Sequence, residues 1–326
     1  MHTGRSIRAS RGFSYVELLI VVVISSMITL SLMGVVGTAA DSSDALQARN
    51  ELNREARFAM QQMVKAVSHT RRLLLPFNDN PYTDYPEHIR EQTIPPSPPI
   101  GSSTLASAVL AVTLPAYIDL DGNGVPDADN DGDGFIDEDL GEDTHNDFGS
   151  GVYAIDDDGD GDVDNSLDID DDERLDLESE DPINGIDDDG DNNIDEDPSA
   201  DMNEDGCPGF CGVDEDGDGN IDEGNVNDDD EDGSSDEDWY DPLVFYLAGD
   251  VLRQRTPVPW DETGDSNVNG RDFVVADIAK NVTRFRVEKV ADTARGERVD
   301  LTLELTDPAS GESVSLHTSA RLGGKL

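Results

Sequence analysis

Aspartates recur at alternate positions beside glycine through the middle of this 326-residue chain, in the spacing of a cation-binding loop. The strongest copy is Asp129-Asn130-Asp131-Gly132-Asp133-Gly134-Phe135-Ile136-Asp137. Three more copies repeat its register, with Asp156, Asp158, Asp160 and Asp164, then Asp187, Asp189, Asp191 and Asp195, then Asp214, Asp216, Asp218 and Asp222. A related copy with Asp119, Asp121, Asn123 and Asp127 precedes them, and a weaker one with Asp228, Asp230, Asp232 and Asp236 closes the set. Side-chain oxygens at loop positions one, three and five, a backbone carbonyl at seven and an acid or water at nine wrap a calcium ion. Glycine at six permits the sharp turn, and Gly124, Gly134, Gly161 and Gly219 stand there. Asn192 fills that place in the remaining strong copy, and asparagine also tolerates a left-handed backbone. The expected cofactor is calcium, as several ions. Magnesium suits the loops less, because it demands strict octahedral geometry and keeps its waters.

The acid that usually closes such a loop at position twelve is absent, since Leu140, Leu167, Pro198 and Asn225 stand there. The loops are therefore not complete EF-hands. They resemble thrombospondin type 3 and dockerin-like calcium loops, in which other acids complete the shell; Glu138, Asp139, Glu196, Asp197 and Glu223 are nearby candidates. Position eight is apolar in every strong copy (Ile136, Val163, Ile194, Ile221), and Ile155, Ile186 and Val213 precede three of the loops, enough to pair adjacent loops but not to make a conventional core. The strong copies begin at 129, 156, 187 and 214, a period of about 30 residues that suits an array. A disordered acidic spacer is the plainer reading of the charge, but a fixed Asp-Gly-Ile register is more order than composition alone requires.

The formal net charge is -52, and it is local. Of 74 Asp and Glu, 51 lie between Asp119 and Asp238, where Arg174 is the only Lys or Arg. Elsewhere 23 acids face 21 basic residues, so a near-neutral frame carries one extreme block. Nucleic acid is excluded as an expected partner, because no basic face is available to neutralise phosphates. Cys207 and Cys211, in Cys-Pro-Gly-Phe-Cys, are spaced so that the Pro-Gly pair can turn the chain back and let the sulfurs meet; a disulfide is favoured over two free thiols or an incomplete metal pair.

The elements that carry this block begin with an apolar run. From Phe13 to Val36 the only formal charge is Glu17, behind a leader bearing Arg5, Arg8 and Arg11. The length predicts a membrane-crossing helix, at roughly 1.5 Å per residue against about 30 Å of hydrocarbon. A carboxylate within such a run is costly and calls for a partner. Beyond it, Leu52, Ala56, Met60, Met63 and Val67 recur at spacings of four and three, one apolar stripe that extends the helix to about Leu73.

Gly12-Phe13-Ser14-Tyr15-Val16-Glu17, followed by an apolar helix, resembles the N-terminus of type IV pilins and pseudopilins. The resemblance implies cleavage between Gly12 and Phe13 by a prepilin peptidase, N-methylation of Phe13, and pairing of Glu17 with the terminal amine of a neighbouring subunit. Arg54-Glu55-Ala56-Arg57-Phe58-Ala59-Met60 and Leu243-Val244-Phe245-Tyr246-Leu247 are similar, more loosely, to the PilW-type minor pilins and the J-type pseudopilins. The implied partners are other pilin or pseudopilin subunits, the prepilin peptidase/methyltransferase and the inner membrane. The implied place is the inner membrane, single-pass with a periplasmic C-terminal domain, and then a filament.

Later segments alternate as half-buried strands: 284–290, Val299 to Leu305 and 314–320, with 308–311 as a turn. Residues 105–114, 243–247 and 251–255 also read as strands, 76–102 as loop and 276–282 as a helical turn. The fold class expected is α+β: a long N-terminal helix, transmembrane and then amphipathic, on an antiparallel β-sheet (a pilin fold), with an irregular Asp-rich insertion between strands. The domains follow as a leader (1–12), a helix (13–73, transmembrane over 13–36), a sheet domain (74–118 and 239–326) and the acidic insertion (119–238). The expected function is a structural filament subunit with calcium-stabilised repeats for surface contacts or adhesion, the alternatives being a type II secretion pseudopilin and a membrane-anchored calcium-binding surface protein that never polymerises. No enzyme is expected: His69, His88, His145 and His317 sit in no catalytic setting, and no phosphate loop or nucleophile elbow is present.

Overall fold

The structure, a computed structural model, describes residues 14–76, 88–95, 108–132, 134, 136–137, 145–148, 152–155, 238–290 and 298–323. The chain divides into two compact units, 1–51 and 52–326. Helix α1 (Tyr15–His69) contributes to both. In the first unit its side chains are exposed from Tyr15 through Ile28. In the second, Leu52, Ala56, Ala59, Met60, Met63, Ala66 and Val67 form a continuous buried stripe, because three- and four-residue steps return to one face of a helix.

Among the described residues nine strands follow: β1 (Leu73–Leu75), β2 (Ile89–Thr93), β3 (Val109–Thr113), β4 (Pro242–Ala248), β5 (Val251–Pro257), β6 (Phe273–Ala279), β7 (Val282–Val290), β8 (Arg298–Thr306) and β9 (Ser313–Arg321). They make two antiparallel sheets, one ordered β1-β3-β4-β5-β6 and the other β2-β7-β8-β9. Strand β8 shows why its sequence alternates: Val299, Leu301, Leu303 and Leu305 point into the core while Asp300, Thr302, Glu304 and Thr306 stay half-exposed. Strand β3 is buried at every residue, because both faces of its sheet are covered. One face joins the main core with Met63 and Val67 of α1 and Phe285 and Leu301 of the second sheet. The other is packed by Leu74, Leu75, Val109, Ala111 and Val244 against Tyr240, Val152 and Ile155.

Two residues of the acidic insertion, Ala128 and Ile136, lie in the main core, and Val152 and Ile155 close the opposite face. Position eight of the 129–137 loop therefore packs on the sheet body. Arg71 fixes this docking by donating from its guanidinium to the Ile136 carbonyl.

Several expectations are corrected. The described fold is mostly β, with two sheets rather than one, and is not the pilin roll of a helix on a single sheet. Among the described residues no helix is long and apolar enough to cross a membrane. The transmembrane segment over 13–36 and the single-pass inner-membrane placement are corrected with it. The helix ends at His69 rather than near Leu73, because the Thr70 hydroxyl turns to the Arg72 and Thr113 carbonyls, 2.7 and 2.9 Å away, and Leu73–Leu75 pair with β3. The C-terminal segment seals that helix end: the Gly323 amide donates to the Val67 carbonyl at 3.1 Å. A Cβ on Gly323 would stand 2.5 Å from the Ser68 carbonyl oxygen, too close for any other residue without a shift. The segment 276–282 is not a helical turn: β6 and β7 meet there, with Asn281 in the left-handed region at φ 56°. Residues 89–93, read as loop, form β2, whose Glu91 lies opposite Arg286 and accepts from Arg284 and Arg286 at 2.7 and 2.9 Å.

Removing buried methylenes from an isoleucine typically costs about 2–5 kcal/mol. Ile136→Ala should therefore destabilise the folded body by about 2–4 kcal/mol in denaturant unfolding. A cost below about 0.5 kcal/mol, the range of exposed positions, would show that the loop does not pack on the core.

Candidate metal centre

The 119–127 loop is built by its own aspartates. The Asp119 carboxylate accepts from the Gly122 and Gly124 amides at 2.7 and 3.1 Å, and Asp121 accepts from the Asn123 amide at 2.9 Å. Gly122 and Gly124 take φ of 75° and 95°, a region that side-chain-bearing residues rarely occupy. Asp127 closes the loop by accepting the Leu120 amide on both oxygens, at 3.1 and 2.9 Å. Ligand oxygens of Asp119, Asp121 and Asp127 thereby lie within 4.8 Å of one another, a group that could hold a metal ion. Asp119 and Asp121 are exposed and Asp127 is buried. Burial raises the Asp127 carboxyl above its ordinary range; the Leu120 amide opposes this, and the charges of Asp121 and Asp119 add to it. Asn123, expected at position five, instead uses its side-chain oxygen to accept the Val125 amide at 2.7 Å and its Nδ2 to donate to Asp121 at 3.1 Å.

The 129–137 loop is anchored more deeply. Asp129 is buried and accepts the Gly132 amide at 2.8 Å, while Asp131 is exposed. Asp137, at position nine, keeps partial exposure as a residue, yet both carboxylate oxygens are closed to solvent and accept no hydrogen bond. Burial drives its carboxyl well above the ordinary range; the charges of Asp238 and Asp241 add to this, and Arg71 and Arg72 oppose it. Asn130 reaches across to the returning chain: its amide donates to Asp238 at 3.1 Å and its Nδ2 to Asp241 at 3.1 Å. Asp238 and Asp241 are both buried. The Asp241 carboxyl is pushed up to about 8, by burial first, with the Asn130 hydrogen bond opposing and the charges of Asp238 and Asp127 adding.

Among the expected site residues, Asp119, Asp121 and Asp127 are brought together; Asp129 and Asp137 stand in the neighbouring loop. Asp133, Asp156, Asp158, Asp160, Asp164, Asp187, Asp189, Asp191, Asp195, Asp214, Asp216, Asp218, Asp222, Asp228, Asp230, Asp232 and Asp236 lie outside the described residues, as do Cys207, Cys211, Gly12 and Phe13. Glu17 is exposed in the first turn of α1, where its Oε2 accepts the Ser14 amide at 3.2 Å. Ser14-x-x-Glu17 is thus the acidic half of a capping box, a helix-start signal present in the sequence beside the assembly reading.

Sequence reasoning passed over Asp238 and Asp241, which belong to no repeat copy. It also passed over 261–272, where Asp261, Thr263, Asp265, Asn267, Asn269 and Asp272 fall at loop positions one, three, five, seven, nine and twelve. Ser266 takes φ 79° at position six. Here the acids serve the loop itself. Asp272 accepts from the Glu262, Thr263 and Asn269 amides at 2.7, 2.8 and 3.0 Å, and Asp261 accepts from Ser266 at 2.9 Å. Among the described residues, the 119–127 triad is the one group of three acids that converges. No protein-family model matches this chain, and no characterised protein or solved structure matches it.

The raised acids set a pH dependence. A carboxyl whose folded pKa lies above its unfolded value binds its proton more tightly when folded, so stability is fully present below the unfolded pKa and is lost as pH rises through the folded pKa. For Asp241 that window runs from the ordinary carboxyl value of 3.8 to about 8. Chelator-treated protein should lose on the order of a few kcal/mol of unfolding free energy between pH 5 and pH 8. Asp241→Asn should flatten that slope. A metal-free profile that rises across this interval would contradict the assignment.

Proposed function

We propose that the protein is a non-catalytic structural subunit whose acidic insertion is ordered by calcium. The convergence of Asp119, Asp121 and Asp127 within 4.8 Å supports this reading most directly. Three carboxylates so placed repel one another, and a divalent cation reverses the sign of that energy. Oxygen-only ligands favour a hard cation, and a loop flexible in ligand number favours calcium over magnesium. The remaining copies repeat the same register, so several ions are expected, with folding of the insertion coupled to their binding. Calcium titration of the full chain, followed by circular dichroism and limited proteolysis, should show added structure and slower cleavage at millimolar calcium and a weaker response to magnesium. No response to calcium would overturn the reading.

A second observation favours assembly through α1. Tyr15, Val16, Leu18 through Ile24, Met27 and Ile28 are all exposed, an apolar surface running right round the helix that only other apolar surface can cover. With the Gly12-Phe13 to Glu17 resemblance, this supports a subunit of a pilus-like filament, with a type II secretion pseudopilin as the alternative. The capping contact of Glu17 makes the test specific. Glutamine at the third helical position retains a capping box but carries no charge. Glu17→Gln should abolish incorporation into filaments while leaving helix content unchanged. Normal incorporation of Glu17→Gln would show that the carboxylate acts only as a cap.

A further inference from the structure

Counted from Asp119, position twelve of the first cation-type loop falls on Asn130, where a closing acid would stand. Asn130 is committed elsewhere. Its amide donates to the Asp238 carboxylate at 3.1 Å, its Nδ2 donates to Asp241 at 3.1 Å, and its Oδ1 accepts the Trp239 amide at 3.3 Å. A single residue thus clasps the chain that returns from the insertion, across 108 to 111 residues of sequence. The returning chain is tied in turn to the sheet body. The Leu114 amide, just beyond β3, donates to the Asp241 carbonyl at 2.9 Å, and the Tyr240 side chain is buried with Leu74, Leu75 and Val244.

Asn130 follows closely on Asp127, the buried acid of the 119–127 triad, and the segment between them has little freedom. The Asp127 amide donates to the Ile118 carbonyl at 2.8 Å, and its carboxylate accepts the Leu120 amide. Ala128 is fully buried in the main core, and the Asp129 amide closes a turn on the Pro126 carbonyl at 3.1 Å. A close-packed core yields little to small displacements. A shift of Asp127 is therefore passed on to Asn130 rather than absorbed between them.

We propose that Asn130 couples the metal centre to the base of the insertion, a coupling that rests on the calcium reading of the 119–127 loop. An ion held by Asp119, Asp121 and Asp127 then resists the parting of the two chain arms that Asn130 joins. With Oδ1 and Nδ2 both engaged by the returning arm, Asn130 is a positioning residue and not a ligand. Parting of the arms frees a long loop, and its closure entropy opposes re-forming the clasp. An ion that binds only the closed arrangement suppresses that opening by mass action. Linkage works in both directions, so loss of the clasp weakens ion binding by the same factor.

The test is hydrogen exchange of the Trp239 amide in the full chain, in chelator and in calcium chloride, beside calorimetric titration with calcium. The readout is the ratio of the two exchange rates. For exchange that requires the arms to part, that ratio should be about tenfold at free calcium about ten times Kd. Asp121→Asn, at an exposed ligand position, should bind one calcium fewer and lose most of the slowing. Asn130→Ala should bind as many ions as wild type, one of them more weakly, and should also lose most of the slowing. Full slowing retained in Asp121→Asn would overturn the coupling, because the protection would then come from other loops. Full slowing retained in Asn130→Ala would overturn it as well. The Asp121→Asn comparison stands whether or not the Asn130 variant folds. Calcium binding by the wild type with no change at Trp239 would overturn the coupling and leave the calcium reading in place. A wild type that binds no calcium would overturn both.

Discussion

Carboxylates leave water in this protein, and much of the described structure follows from that constraint. Asp127, Asp129, Asp238 and Asp241 are all buried, and burial is the leading cause of every raised acid among them. Two like charges at 4 Å repel by about 4 kcal/mol at an effective dielectric of 20, comparable to a substantial part of a domain's net stability. The chain answers locally with backbone amides. Leu120 donates to Asp127 and Gly132 to Asp129, while Gly122 and Gly124 donate to the exposed Asp119. Amides orient carboxylates but do not cancel their charge, and the 119–127 triad so oriented could hold a metal ion.

The loops are tied to the β body because the described part of the insertion belongs to its core. Ala128 and Ile136 pack with α1 and both sheets, and Val152 and Ile155 cover the outer face of β3 and β4. The polar contacts run the same way: Gly270 donates to the Asn146 carbonyl at 2.9 Å, Tyr153 to Asp147 at 2.7 Å, and Arg271 and Arg255 reach the Asp147 and Tyr153 carbonyls. Whatever changes the charge state of the loops therefore bears on the packing of a sheet whose strand β3 is buried on both sides. Under the proposed cation binding, stability of the body and occupancy of the insertion become one linked equilibrium.

The parts legible in the sequence were those with a strong local pattern. Val299 to Leu305 alternates cleanly because one face of β8 meets the core, and the Asp-x-Asp-x-Asp-Gly register marks the 119–127 loop because ligand spacing is itself local. The parts that escaped depend on distant partners. Ile89-Arg90-Glu91-Gln92-Thr93 has no apolar alternation; it is a strand because Glu91 finds Arg284 and Arg286 across the ladder. Phe273–Ala279 escaped because it is the edge strand of its sheet, so Val274 and Val275 remain exposed and give no inside-outside signal. Asp238 and Asp241 gain their meaning only when Asn130, more than a hundred residues earlier, is folded against them.

Glu17 shows how one residue can satisfy two descriptions at once. Its carboxylate meets the Ser14 amide at a helix N-terminus, where unpaired amides and the helix dipole both favour negative charge. A neighbouring subunit's amine would compete for the same oxygens. The exchange exposes the Ser14 amide but replaces a hydrogen bond to a neutral donor with a hydrogen-bonded ion pair. In apolar surroundings, such as the exposed Val16 to Ile24 surface creates when another copy covers it, that difference grows as the dielectric falls. Under the proposed assembly, the capping contact is the resting partner of Glu17, to be exchanged when the apolar surface beside it is buried.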